Sequence, residues 1–143
     1  MAENLGERDG AKPMTSTILL AVLGMLSELQ IPITIGALPA ANAVSAYISS
    51  GYTDTAFSTK GRVMIMRITF IAKNANQQTA LDALSDIHDA LTLTKVYPKG
   101  NGYQVMDIQT DTVPNYIGRE EDKQYTYGST VAVRYFQHLK GEN

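Results

Sequence analysis

Residues 62–72 read RVMIMRITFIA, and the way this stretch is taken decides the fold. In an extended chain successive side chains point to opposite faces. Met64, Met66, Ile68 and Phe70 then lie on one face, and Val63, Ile65 and Ile71 on the other. Apolar residues in both phases predict a central strand, covered on both sides or nearly so. Asn74 or Asn76 offers a side-chain cap for a helix over 77–91. In it Ala80, Leu81, Leu84, Ile87 and Leu91 form the stripe to be buried, with Asp82, Asp86 and Asp89 on the opposite face.

Toward the N-terminus, Thr15 or Ser16 can cap a helix beginning near Thr17. Ile18, Leu19, Val22, Leu23, Met25, Leu26 and Leu29 share one broad face, and Ile31-Pro32 stops the helix. Residues 1–14 are polar and without periodicity, and read as a flexible arm. Extended pieces are expected at 33–35 and 43–48, with a turn at Gly36 and Pro39 between them. The Ser/Thr/Gly-rich stretch 49–61, SSGYTDTAFSTKG, reads as a long loop. Beyond the second helix come a turn cluster at 97–102, an alternating strand at 103–110, a second loop at 111–124 and a last long strand at 125–137. This order predicts one α+β domain over 15–143: two layers, a mainly antiparallel sheet of about four to five strands, and two helices packed on one face.

Bulk properties narrow the function. The 143 residues fit a single domain. A formal charge of −2 with no Lys/Arg cluster argues against sequence-independent nucleic-acid binding. The chain has no cysteine, which excludes disulfides, thiol catalysis and Cys-based zinc sites, and only two histidines, His88 and His138. The first residues, with Glu3, Glu7 and Asp9, lack the basic start of a signal peptide. The apolar run Ile18–Leu26 is far short of the ~20 residues needed to span a bilayer, so no membrane partner is expected.

Candidate chemistry is sparse. Asp82, Asp86 and Asp89 share a helix face and would serve as a divalent-metal set or a negative wall; the commoner reading of such a face is a solvated one. His88 falls toward the apolar stripe and reads as a structural histidine more readily than as a base paired with Asp89, since helix neighbours in sequence do not face each other. No GxSxG, Walker-type or GxGxxG pattern occurs. No catalytic, cofactor-binding or metal-ligating residue is therefore assigned, no cofactor is expected, and the chain is read as no enzyme.

What remains is the run Arg119, Glu120, Glu121, Asp122, Lys123, leading into a Tyr/Val-rich strand. Taken with Gly36–Pro39 (GALP), RVMIMRITFIAKN, ALDALSDIHDALT and the closing YQVMDIQTDTVPNYIGREEDKQYTYGSTVAVRYF, the chain resembles the minor capsid or tail terminator (tail completion, neck) proteins of long-tailed bacteriophages, from about Thr17 to Phe136. The resemblance implies a structural protein that forms a homohexameric ring and caps the tail tube at the tail–head junction of the virion. It would be assembled in the host cytoplasm. Its partners would be further copies of itself, the major tail-tube protein and a head-completion or connector protein, with DNA passing through the channel without specific binding. In such a ring Tyr116 and Arg119–Lys123 of one copy would meet Tyr52 to Phe57 of the next, and Asp82, Asp86 and Asp89 would face the lumen. Competing readings are a head-completion or connector protein on the portal side, a small metal-assisted hydrolase using the aspartate face, and a monomeric host-directed adaptor.

Overall fold

The computed structural model describes residues 14–57 and 61–138, apart from the side chains of 55–57. The expectation of an N-terminal arm therefore falls outside the described residues, except that Met14 already opens a helix. The elements are α1 (Met14–Gly24), a 3-10 turn (Ser27–Leu29), β1 (Ile33–Ile35), β2 (Ala43–Phe57), β3 (Gly61–Asn74), α2 (Gln77–Thr92), β4 (Lys99–Gly100), β5 (Tyr103–Arg119) and β6 (Tyr125–His138).

The strands form one sheet in the order β1-β2-β3-β6-β5-β4. It has six strands, not four to five, and it is mixed: β1 pairs with β2 in parallel while every other pairing is antiparallel. The two additions are short edge pieces, β1 on Val44–Ala46 and β4 on Tyr103 and Gln104. β3 lies inside the sheet as predicted, between β2 and β6.

Two stretches predicted as loops are strand. Residues 49–57 continue β2, and 111–119 continue β5. β3 and β6 pair along their whole lengths, from Gly61↔His138 to Asn74↔Tyr125, without a register shift. Such a long central pair offers two long edges, and backbone pairing to them outweighs the low apolarity of SSGYTDTAF and DTVPNYIGR, Thr and Tyr being good strand formers in any case. The mismatch is absorbed in bulges: β2 shifts register between Ile48/Ser50 and Thr53/Thr55, and β5 shifts at four places from Val105/Asp107 to Tyr116/Gly118.

α1 is shorter than its apolar face. It ends at Gly24, a poor helix former by about 1 kcal/mol; bonds from Met25 N–H to Val22 O and from Leu26 N–H to Leu23 O tighten the exit. α2 is capped by Asn76, whose Oδ1 accepts the Thr79 N–H at 3.0 Å.

Both helices lie on one face of the sheet. Ile18, Leu19 and Val22 from the first, Leu26 just beyond its end, and Ala80, Leu84, Ile87 and Leu91 from the second join Val44, Ala46, Met66, Ile68, Phe70, Ala72, Val105, Ile108, Val131, Val133 and Tyr135 in one core. Two of the three tyrosines of β6 belong to it: Tyr135 is buried and Tyr127 half-buried, its hydroxyl donating to Gln77 Oε1 at 2.9 Å. Among the described residues the opposite face has no second helical layer, so there the expectation that β3 is covered on both sides holds only in part. There Thr69 Oγ1 links Ser49 Oγ (2.9 Å) to Thr130 Oγ1 (3.1 Å), and ion pairs join Arg67 to Asp111, Arg134 to Asp54 and Lys73 to Asp122 at 3.1–3.4 Å. Antiparallel sheets with one wet face are common.

Phe70, fully buried at the centre of β3, should be the most costly core position to truncate. Phe70→Ala is expected to destabilise the fold by about 3–5 kcal/mol in urea denaturation, with the denaturant slope unchanged.

Candidate subunit interface

β5 leads into β6 through a tight turn. Lys123 N–H bonds to Glu120 O (3.0 Å), Glu120 N–H to Gln124 O (2.7 Å), and Lys123 takes a left-handed backbone, φ 66°. Gln124 is buried beneath it, and its Oε1 accepts the Asn42 N–H at 3.0 Å. Asn42 Oδ1 in turn accepts the Ala75 N–H at 3.2 Å. The turn before β2, the turn before α2 and the β5–β6 hairpin are thus latched together at one end of the sheet.

The five charges of that hairpin are not equivalent. Arg119 stacks over the Tyr125 ring at 5.6 Å, Glu120 Oε2 accepts the Thr126 hydroxyl at 3.2 Å, and Asp122 pairs with Lys73 at 3.1 Å. The Asp122 carboxyl lies below its usual pKa: desolvation pushes upward, but the Lys73 hydrogen bond, the Gln124 N–H and the Lys73 charge together outweigh it. Glu121 and Lys123 have no partner among the described residues. Three charges therefore hold the hairpin in shape, and the other two stand exposed.

Around the hairpin β5 exposes large apolar side chains: Val113 is 64% exposed, Tyr116 53% and Ile117 55%. Tyr116 packs edge-on against Tyr127, on the helix-bearing side, with centroids 5.5 Å apart. Ile117 crosses Gly128, where a Cβ would lie 2.7 Å from its Cδ1 and 3.3 Å from that of Ile71, so a larger residue there would push the Ile117 side chain aside.

Tyr52 lies elsewhere. It is 48% exposed on β2, near the opposite end and toward the opposite edge of the sheet, with the Arg67 guanidinium 5.4 Å above its ring. Phe57 pairs with Gly61 through the backbone; its side chain lies outside the described residues. Tyr52 and Phe57 are on a strand, not in the predicted loop, and so are Tyr116 and Arg119. Within one chain the structure gathers Tyr116 and Arg119–Lys123 into one patch and keeps the 52–57 segment diagonally away from it. The pattern reading missed Leu20, Ile35, Ile48, Met106, Val113 and Ile117, all exposed. Sequence offers no signal for them, because an apolar residue in strand phase looks the same whether or not a partner covers it.

Asp82, Asp86 and Asp89 are exposed on α2, on the side away from the core. No group of three or more His, Cys, Asp or Glu side chains that could hold a metal ion occurs among the described residues. None of the described helices is long and apolar enough to cross a membrane. His88 is buried, its Nδ1 2.8 Å from Thr110 Oγ1 and its Nε2 without a partner. Burial holds its pKa below the usual value, against a smaller upward pull from Asp89. Burial likewise raises the Tyr135 hydroxyl above its ordinary value, Arg62 opposing.

His88 gives the fold a pH dependence of fixed sign. Above about pH 6.5 both folded and unfolded chains carry it neutral; below that, the unfolded chain binds a proton that the fold resists. Stability should therefore fall as pH drops from about 6.5 toward the lowered folded pKa, and His88→Gln should flatten that part of the curve, read from urea midpoints between pH 7.5 and 5.

No protein-family model matches the sequence, and no curated protein does. Among solved structures, the chain is similar in fold to one described as part of the virion of a native gene transfer agent (GTA) particle. The TM-score is 0.56 at 17% identity, covering 82% of this chain and 92% of that one.

Proposed function

We propose that this chain is a structural protein of a phage-type virion, and that copies of it close into a ring that caps the tail tube at the head–tail junction. The fold it shares with a chain of a gene transfer agent virion supports the virion assignment. The observation that carries the ring is the placement of two different exposed surfaces on opposite edges of the sheet, Val113, Tyr116, Ile117 and the charged hairpin on one, and Ile35, Ile48 and Tyr52 on the other. A two-fold dimer needs one self-complementary patch; two unlike patches on opposite sides generate head-to-tail contacts, which form a ring when the rotation closes. The tube protein and a head-completion or connector protein would then meet the ring's two rims, and DNA would pass through its opening.

Native mass measured over a range of concentrations tests the ring, with a species of about six times the chain's 15.6 kDa expected. Electron microscopy of the protein mixed with isolated tail tubes tests the role: added density at one tube end supports it, and binding to portal complexes alone would move the protein to the portal side. Replacing Glu121 and Lys123 together by Gln should weaken association about tenfold or more, since one close interfacial charge pair contributes roughly 1.5 kcal/mol or more. The thermal midpoint of the subunit should stay within a few degrees, both side chains being exposed and the hairpin's own contacts through Arg119, Glu120 and Asp122 being kept. A ring that forms equally well from this variant would remove the hairpin from the contact.

A further inference from the structure

We infer that neighbouring copies join strand to strand: the free edge of β5 in one copy adds antiparallel to the free edge of β2 in the next, so that one sheet runs on around the ring. This rests on the ring reading and goes beyond it by naming the bond that holds the ring together.

Each outer strand is only partly covered. β4 pairs with Tyr103 and Gln104, and Pro98 O accepts the Val105 N–H; from Met106 onward the outer edge of β5 has no strand partner among the described residues. β1 covers Val44–Ala46 of β2, and from Tyr47 onward that edge likewise has no strand partner among the described residues. Three antiparallel steps separate β2 from β5, so they run in opposite directions. When the next copy repeats the same orientation, β5 of one meets β2 of the other in antiparallel sense, the pairing the rest of the sheet already uses.

The open segments also lie at the same height. Tyr47 is in line with Thr69, Thr130 and Thr112, and Ser50 with Arg67, Ala132 and Gln109. Soluble proteins usually guard such edges with outward lysines. Neither 47–54 nor 106–113 contains a lysine; of their three acids Asp54 and Asp111 are turned inward to Arg134 and Arg67, and Asp107 accepts a hydrogen bond from Gln109 Nε2 at 2.8 Å. The next residue on β5, Pro114, has no N–H to offer, which confines the pairing to its 106–113 part. Bulges in both outer strands add the twist and bend that closing a sheet upon itself requires.

The absence of native cysteine allows a clean test. Gln109→Cys is combined in turn with Tyr47→Cys, Ser50→Cys or Tyr52→Cys, all on the face away from the helices. Within one copy β3 and β6 separate the two edges by three strand spacings, about 14 Å, well beyond the ~7 Å that a disulfide can bridge. Any bond must therefore join two copies. On mild oxidation of the assembled ring one of the three pairs should give a ladder of covalent multimers, while each single-cysteine variant stops at dimers. Amide hydrogen exchange of the unmodified protein should slow at least tenfold in 47–54 and 106–113 when dilute monomer is compared with ring. A ring of the expected mass that shows no ladder and no slowing on either edge would overturn the strand joint and leave the ring reading standing. A chain that stays monomeric at every concentration and on tube ends would remove both.

Discussion

The rest of this structure depends on the antiparallel pairing of β3 with β6. It runs in one register over the full length of both strands, and the core phase of each, Met66–Ala72 and Tyr127–Tyr135, faces the helices because of that register. A slip of β6 against β3 by one residue would turn Val131 and Val133 to the wet face and bring Thr130 and Arg134 into the core beside Ile68 and Phe70. No other ladder in the sheet is both long and free of shifts: β1 and β4 are brief, and β2 and β5 are bulged. The central pair thus acts as the template on which two irregular outer strands are laid.

That arrangement divides the molecule by chemistry. On one face two helices and the sheet exclude water. On the other the cations Arg67 and Arg134 sit on the two central strands and reach across an intervening strand to acids on the outer ones, Asp111 on β5 and Asp54 on β2. Exposed pairs of this kind add little to stability, but they fix where the outer strands lie and keep their carboxylates off the edges. Stability is concentrated in the centre, and the exposed apolar side chains of β2 and β5 and the latched hairpin lie at the two edges and one end. The ring proposed above uses that division: a rigid interior, and unlike surfaces on opposite sides.

The charged run 119–123 illustrates how a surface feature is divided between folding and contact. In sequence its five charges look alike, and a solvated loop or a gripping loop fits equally well. In the fold Arg119, Glu120 and Asp122 hold the hairpin against Tyr125, Thr126 and Lys73, and Glu121 and Lys123 stand free. Buried Gln124 ties the base of the hairpin to Asn42, far away in sequence. The run is therefore a pre-shaped element with two available charges, which lowers the ordering cost of any contact it makes.

By itself the sequence determined the α+β class, the central place of RVMIMRITFIAKN, the second helix with its Asn cap, the last strand and the buried character of His88, because each is written in a local period or a local cap. It also located Tyr116 and the charged run as a candidate surface. Only the tertiary structure decided that 49–57 and 111–119 are strand, since their pairing comes from the length of β3 and β6 and not from their own composition. It decided the six-stranded order with its parallel edge piece, because β1 and β4 are too short to carry a period. It placed Tyr52 and Tyr116 on opposite edges, because position across a sheet depends on long-range pairing order, which no local pattern encodes. And it exposed Ile48, Val113 and Ile117, whose apolar side chains read as core until the sheet leaves its edges open.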